Sequence, residues 1–352
     1  MSELPAGTLP QWQYLYGKPD VTAVIRSQAS DFIVDEQLNF QPSGSGEHLL
    51  LQIEKRGQNT QYIARQLARL TGLRMRDISY AGLKDRHALT RQWFCFKWPI
   101  KQELDWHDWQ IDDSRILQVV RHHRKLRLGA LKANHFQLTL TEVSAPEALL
   151  ARLQLVKAGV PNYYGEQRFG RAGGNLALAD SLFAGERIAD RQIRGLALSA
   201  SRSFLFNTVL SARIAQGLFN QVLDGDILQL DGTGSIFTVE HADSTLQQRL
   251  QQSDVHPTAP LVGIGGAAVS QHAAELEQQA LAPHQQWCQG LAEYRLQAAR
   301  RSIRLVPQQL SAQQQGDSVS ISFALPAGCF ATSVLRELAC YRDGSRPLTE
   351  LE

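Results

Sequence analysis

The 352 residues hold only four cysteines, Cys95, Cys288, Cys329 and Cys340, and no two form a C-x-x-C pair. That scatter argues against both a zinc site and a disulfide framework. Long apolar runs are missing, and no stretch approaches the ~18 residues needed to span a bilayer. Met1-Ser2-Glu3-Leu4-Pro5 has neither the basic nor the apolar part of a secretion signal. A cytoplasmic, reducing setting is therefore expected. Pro42-Ser43-Gly44-Ser45-Gly46 has the glycines of a phosphate loop but neither the Walker lysine nor a following helix. Asp224-Gly225-Asp226 lacks the other ligands of a calcium loop and reads as a hairpin turn. His122-His123 is not helical metal spacing, and the arginines around it would repel a cation. No metal site is expected from these motifs. Repeats and low-complexity tracts are also absent.

Nor does one sign of charge dominate, since 36 Lys and Arg face 34 Asp and Glu. Overall charge is thus a poor guide to partners, and its distribution says more. The run Arg121 to Lys132 holds Arg124, Lys125, Arg127 and Lys132 and no acid. Arg300, Arg301 and Arg304 make a second basic group, with Arg295 a little upstream. Such local excess suits phosphate contacts, and a solvated basic face is the competing reading.

The apolar fraction of 43% supports a real core, and the length allows two domains or one domain carrying an insertion. Strands are expected at Thr22 to Arg26, Phe32 to Glu36 and His48 to Lys55. Asn59 or Thr60 can cap a helix running to about Gly72, with Ile63, Leu67 and Leu70 on one face. Short strands at Asp77 to Tyr80 and Gln92 to Trp98 flank a loop. Asn134 to Thr141 alternates, placing Asn134, Phe136, Leu138 and Leu140 on one face. A helix is expected from Pro146 to Lys157. Gly159 to Gly170 is a poor helix or strand and reads as a boundary or binding loop. Beyond it helices dominate, at Phe204 to Gln216 and about Ser270 to Arg301, around a β-rich piece from Asp226 to Val239. Strands return at Ile303 to Val306 and Ser318 to Phe323, with the glutamine-rich Gln308 to Gln315 read as loop. Phe330 opens a short helix whose buried stripe is Val334, Leu335 and Leu338. Similar texture at both ends suggests one sheet domain built from two chain ends, with an insertion between them.

The loop between the two short strands is Ala81-Gly82-Leu83-Lys84-Asp85-Arg86-His87-Ala88-Leu89. Asp85 stands between two cations, which favour its ionised form. Such a carboxylate can act as nucleophile, base or orienting group, although a solvated turn would look the same locally.

Six blocks together resemble the TruD-type tRNA pseudouridine synthases. They are Gly17-Lys18-Pro19, the Asp85 loop, Arg124 to Lys132, Asn134-His135-Phe136, Val160 to Gly170, and Leu325 to Leu338. They run in family order along nearly the whole chain. The resemblance implies an α+β fold, the pseudouridine synthase fold with a mixed, largely antiparallel sheet. It also implies an inserted α/β domain specific to the TruD family. The boundaries expected are 1–159 and 304–352 for the catalytic domain and 160–303 for the insert. The implied reaction converts uridine to pseudouridine at position 13 of transfer RNA.

By the same resemblance Asp85 is the catalytic aspartate, and Arg26 falls where the family carries a basic residue near it. Phe32, Asn134 and Phe330 match positions lining the uridine pocket. Phe136 stands where other pseudouridine synthases carry a tyrosine, so it has no proton-transfer role. The reaction is redox-neutral and requires no cofactor. Aromatic stacking worth roughly 1–3 kcal/mol per base is comparable with the few kcal/mol needed to extrude a nucleotide. Arg124, Lys125, Arg127 and Lys132 would contact tRNA phosphates. A tRNA-binding protein without catalysis, using the same basic run, is the competing hypothesis. Nothing in the chain demands a second copy, so a monomer is expected.

Overall fold

The structure, a computed structural model, describes residues 9–345. Residues 1–8 and 346–352, expected to belong to the catalytic domain, lie outside the described residues. The chain forms two compact units, one from residues 19–157, 307–331 and 338–345, the other from 9–18, 158–306 and 332–337. Among the described residues no helix is long and apolar enough to cross a membrane.

The first unit begins with β1 (Thr22–Ile25), β2 (Phe32–Leu38) and β3 (His48–Arg56). Helix α1 (Thr60–Thr71) follows, then β4 (Ser79–Tyr80), β5 (Leu89–Lys97), β6 (Ser114–His122), β7 (Leu131–Leu140) and α2 (Pro146–Val156). Asn59 caps α1 by accepting from the Tyr62 N–H at 2.8 Å. Gly72 ends it with φ +70°, a left-handed turn that favours glycine. Ile63, Ala64 and Leu67 are buried against the sheet, whereas Leu70 is 39% exposed and falls off the expected stripe. Asp77, expected at the start of β4, instead ends a 3-10 turn over Met75–Asp77.

The second unit holds β8 (Val160–Pro161), α3 (Gly174–Phe183), α4 (Arg191–Ala215), β9 (Ile227–Leu230) and β10 (Ile236–Thr238). It continues with α5 (Ser244–Gln251), β11 (Val255–Leu261), α6 (Gln271–Leu281), α7 (Gln285–Glu293), β12 (Ala299–Ser302) and β13 (Arg304–Leu305). Its four-stranded sheet runs β10-β9-β11-β12. Helix α4 starts well before the expected Phe204, because Asp190 caps it through the Gln192 and Ile193 N–H groups. The helix expected from Ser270 to Arg301 is two helices and a strand. Pro283 sits in the 3-10 turn between α6 and α7, where it cannot donate to a continuous helix. Asp224-Gly225 is a turn, closed by the Asp226 N–H on the Leu223 carbonyl, and the Asp226 carboxylate is in addition a buried partner of Arg213, 2.6 Å away.

The chain ends its described course with β14 (Gln308–Gln315), β15 (Ser318–Pro326), α8 (Ala331–Leu338) and β16 (Cys340–Asp343). The glutamine-rich segment is therefore a strand, not a loop. It forms an edge of the sheet, where exposed polar side chains are tolerated on both faces.

The eight-stranded sheet of the first unit runs β14-β15-β7-β2-β5-β3-β6, with β4 paired to β5. Only the β2–β5 pairing in it is parallel, so the sheet is mixed and largely antiparallel. The α+β fold expected from the resemblance is the fold observed. Central strands feed two cores by alternation. Leu49, Leu51, Ile53, Phe94 and Phe96 pack with α1, while Leu50, Trp93 and Cys95 pack with Ala81, Leu126 and Leu131. β1 pairs in parallel with β16.

Candidate active site

Asp85 lies on the connection between β4 and β5, with its side chain 22% exposed. Four side chains from surrounding elements hold the loop that carries it. Gln92 of β5 donates to the Gly82 carbonyl at 2.6 Å, and Thr60 at the start of α1 accepts from the Lys84 N–H at 3.0 Å. Thr60 in turn donates to Gln92 at 2.9 Å. Lys84 turns inward to pair with the buried carboxylate of Glu36 on β2, which also accepts from the Trp93 N–H at 2.9 Å. Burial pushes the Glu36 carboxyl up, against the pull of Lys84. Lys55 of β3 donates to the carbonyls of Gln58 at 2.6 Å and Asp85 at 3.3 Å.

The cations adjacent in sequence are thus not the partners of the Asp85 carboxylate. Lys84 goes to Glu36, and Arg86 donates to the Gly57 carbonyl. The partner is Arg26, just past the end of β1, whose Nη2 lies 2.8 Å from Asp85 Oδ2. The other carboxylate oxygen accepts from the His87 N–H at 3.1 Å. Arg26 is buried and has φ +55°, a left-handed conformation uncommon for a residue with a side chain. Its Nη1 reaches Asp343 Oδ2 at 2.8 Å, so one guanidinium bridges two carboxylates. Asp343 ends β16, and its second oxygen accepts from the Ser345 N–H and hydroxyl at 3.0 and 2.7 Å. The chain then passes Arg26 so closely that a Cβ on Gly344 would stand 3.1 Å from the Ser27 Cα.

Two of the predicted aromatic residues, Phe32 and Phe136, join this centre. Phe32 opens β2, with its ring centre 4.1 Å from the Arg26 guanidinium carbon. Phe136 of β7 meets Phe32 edge-on at 6.3 Å and stacks on Phe323 at 5.5 Å. Asn134 shares the Phe136 face of β7, directly across from Glu36 on β2 and Leu325 on β15. Asn134 is buried, and its Oδ1 has no hydrogen-bond partner in the structure. An orphaned acceptor of this kind is costly unless something else satisfies it. The Arg26 Nε–H is likewise buried and unpartnered. Phe330 is half-buried in the turn from β15 to α8, just past the strand that pairs with Asn134.

The expected phosphate-contact residues fall in two classes. Arg124, Lys125 and Arg127 are exposed on the β6–β7 connection, and Lys132 is exposed at the start of β7. Buried Leu126 anchors that connection among Leu50, Trp93 and Cys95. Among the described residues none of the four makes an ion pair. The second basic group behaves differently. Arg300 pairs with Glu277 at 2.6 Å, Arg301 donates to Asn162 at 2.7 Å, and Arg304 donates to the Ala158 and Leu250 carbonyls. Those three arginines are structural ties within the second unit.

Sequence reasoning missed Asp343 and Lys55. Asp343 stands before a glycine and reads as an ordinary turn residue. Lys55 stands one residue before the end of β3 as the cation on an otherwise apolar face, and that break in the pattern was the available signal.

The chain matches the family model described as tRNA pseudouridine synthase D (TruD) over residues 9–187 and 178–338. It is 49% identical over 331 residues to a protein of Aeromonas hydrophila named tRNA pseudouridine synthase D, covering 94% of each chain. A protein of the same name from Aeromonas salmonicida is also 49% identical, again over 94% of each chain. A crystal structure from Methanosarcina mazei that carries the TruD name shares the fold. Its TM-score is 0.72 at 22% identity, covering 95% of this chain and 97% of that one. The chain belongs to the tRNA pseudouridine synthase D (TruD) family.

Proposed function

We propose that this chain isomerises uridine to pseudouridine in transfer RNA, at position 13, with Asp85 as the reacting carboxylate. The observation that carries this reading is the grip of Arg26 on Asp85 at 2.8 Å, beside the Phe32 and Phe136 rings, in a member of this family. The reaction breaks the N-glycosidic bond, turns the uracil, and joins carbon to the same ribose carbon. It needs an anionic group aimed at base or sugar. A guanidinium fork holds a carboxylate in that state and in one orientation.

Phe32 and Phe330 wall or stack on the extruded uracil, replacing part of the stacking it loses. Phe136, lacking a hydroxyl, supports Phe32 from the sheet and moves no proton. The orphaned Asn134 Oδ1 suits an N–H donor such as that of uracil. Arg124, Lys125, Arg127 and Lys132 meet phosphates and set the tRNA's register. Residues 160–303 are read as the inserted domain, a reading supported by the compact unit that contains them. The protein works in the cytoplasm as a monomer and uses no cofactor.

The test is Asp85→Asn in a pseudouridine assay on tRNA that lacks the modification. Turnover should fall at least about a thousandfold while tRNA binding stays within about twofold. Wild-type turnover by the variant would overturn the role of Asp85 and leave only tRNA binding.

A further inference from the structure

We propose that Lys55 is a positioning residue for this reaction: its buried ammonium holds the main chain of Asp85 and so sets the aim of the carboxylate. The proposal rests on the reading of Asp85 as the reacting group.

Lys55 has no exposed surface, a rare state for a lysine. It sits one register position from the end of β3, opposite Thr90 on β5 and Ser114 on β6. Its strand neighbours on the same face, Leu49, Leu51 and Ile53, all feed the apolar core under α1. A methionine or leucine would extend that core. The cation is instead spent on two carbonyls, Gln58 at 2.6 Å and Asp85 at 3.3 Å. One anchors the turn after β3, and the other belongs to the residue whose carboxylate meets Arg26. Asp85 is therefore fixed at both ends, its side chain by Arg26 and its main chain by Lys55. Lys55 touches neither carboxylate oxygen, so its effect on the reaction runs through position. Displacement of a reacting group by about 1 Å can cost on the order of a hundredfold in rate.

Three charged groups face the Lys55 ammonium: Asp85 and Lys84 from the loop, and Glu36 from β2. Burial dominates over them and lowers its pKa from 10.5 to about 8. The hold on Asp85 therefore weakens within an accessible alkaline range. The fold responds in the opposite sense. Between about 8 and 10.5 the unfolded chain binds more protons at this residue than the folded one does. Deprotonation of Lys55 thus relieves the fold while it loosens the loop. A merely structural lysine would give no rate loss on that side.

The experiment compares the full-length wild type with Lys55→Met and Lys55→Arg. Single-turnover rates on unmodified tRNA are measured from pH 6.5 to 9.5, with thermal melts and tRNA affinity at each pH. The wild-type rate should decline above about pH 8 with tRNA affinity unchanged. Lys55→Met should bind tRNA normally, lose at least about tenfold in rate at pH 7.5, and lose the alkaline decline. In Lys55→Arg, whose cation does not titrate here, the decline should vanish as well. A Lys55→Met enzyme with the wild-type rate and profile overturns the proposal. If neither variant folds, the wild-type profile decides, and a rate flat to pH 9.5 overturns it. Asp85→Asn separates the two readings. An inactive Asp85→Asn beside a normal Lys55→Met sinks only the role of Lys55, whereas an active Asp85→Asn sinks the reading beneath it.

Discussion

The guanidinium carbon of Arg26 lies 4.1 Å from the centre of the Phe32 ring. The same group spans Asp85 and Asp343, each at 2.8 Å. A planar cation can satisfy a ring face and two carboxylates together, and an ammonium cannot. Arg26→Lys should therefore cost turnover despite keeping the charge. Losing one charge-assisted bond, worth about 1.5–3 kcal/mol, predicts a fall of roughly 10–100-fold in single-turnover rate. Arg26→Ala should cost more, with tRNA affinity near wild type in both. Equal rates for Arg26→Lys and wild type would show that the fork geometry is irrelevant.

Asp343 makes a prediction about acid. Burial alone would raise its pKa, but the Ser345 hydroxyl and the Arg26 guanidinium outweigh burial and hold it below the ordinary 3.8. A depressed carboxylate contributes stability above the unfolded value, and that contribution is lost as pH falls through the folded one. Asp343→Asn should thus be less stable than wild type at pH 7, by roughly 1–2 kcal/mol. The gap should close below the ordinary value of 3.8. Thermal melts at pH 7 and pH 3 check this, and a gap that persists unchanged at pH 3 would count against the ion pair.

Asn134 should separate stability from activity. Its buried, unpartnered Oδ1 is a liability in the free protein. Asn134→Ala should leave the melting temperature unchanged or raise it. It should also lower kcat/KM by roughly 10–100-fold, the loss of one or two hydrogen bonds to a buried polar edge. A destabilised variant with normal kcat/KM would make Asn134 a structural residue.

The β6–β7 connection carries the electrostatic prediction. Arg124→Ala with Arg127→Ala should weaken tRNA binding. Each lost phosphate contact should reduce the slope of log affinity against log salt by roughly 0.7–0.9. Titrations at three salt concentrations suffice. An unchanged slope would take the loop out of the interface.

The interior of the sheet was legible in the sequence, and its edges were not. β2, β3, β5, β7 and β15 announce themselves by apolar alternation or by continuous apolar runs, because one or both of their faces are buried. β6 and β14 border the sheet, carry mostly exposed or half-exposed side chains, and offer no period to read. The candidate site divides in the same way. Asp85, Asn134, Phe136 and Phe330 stand in motifs that carry family resemblance. Asp343 acts through a pairing with Arg26 that spans almost the whole chain, and no local pattern encodes such a contact. Lys84 and Arg86 misdirect in the other sense. They flank Asp85 in sequence, yet their side chains are spent on Glu36 and the Gly57 carbonyl.

The parallel pairing of β1 with β16 also sets an order of events during synthesis. Arg26 leaves the ribosome early and Asp343 very late, while β1 lacks its parallel partner until Cys340 to Asp343 have emerged. Until then Arg26 holds one carboxylate where the finished protein gives it two. A nascent chain can complete β2, β5 and β7 and still hold an unfinished clamp. The two-carboxylate clamp on Arg26 is therefore complete only once the last described strand has been made.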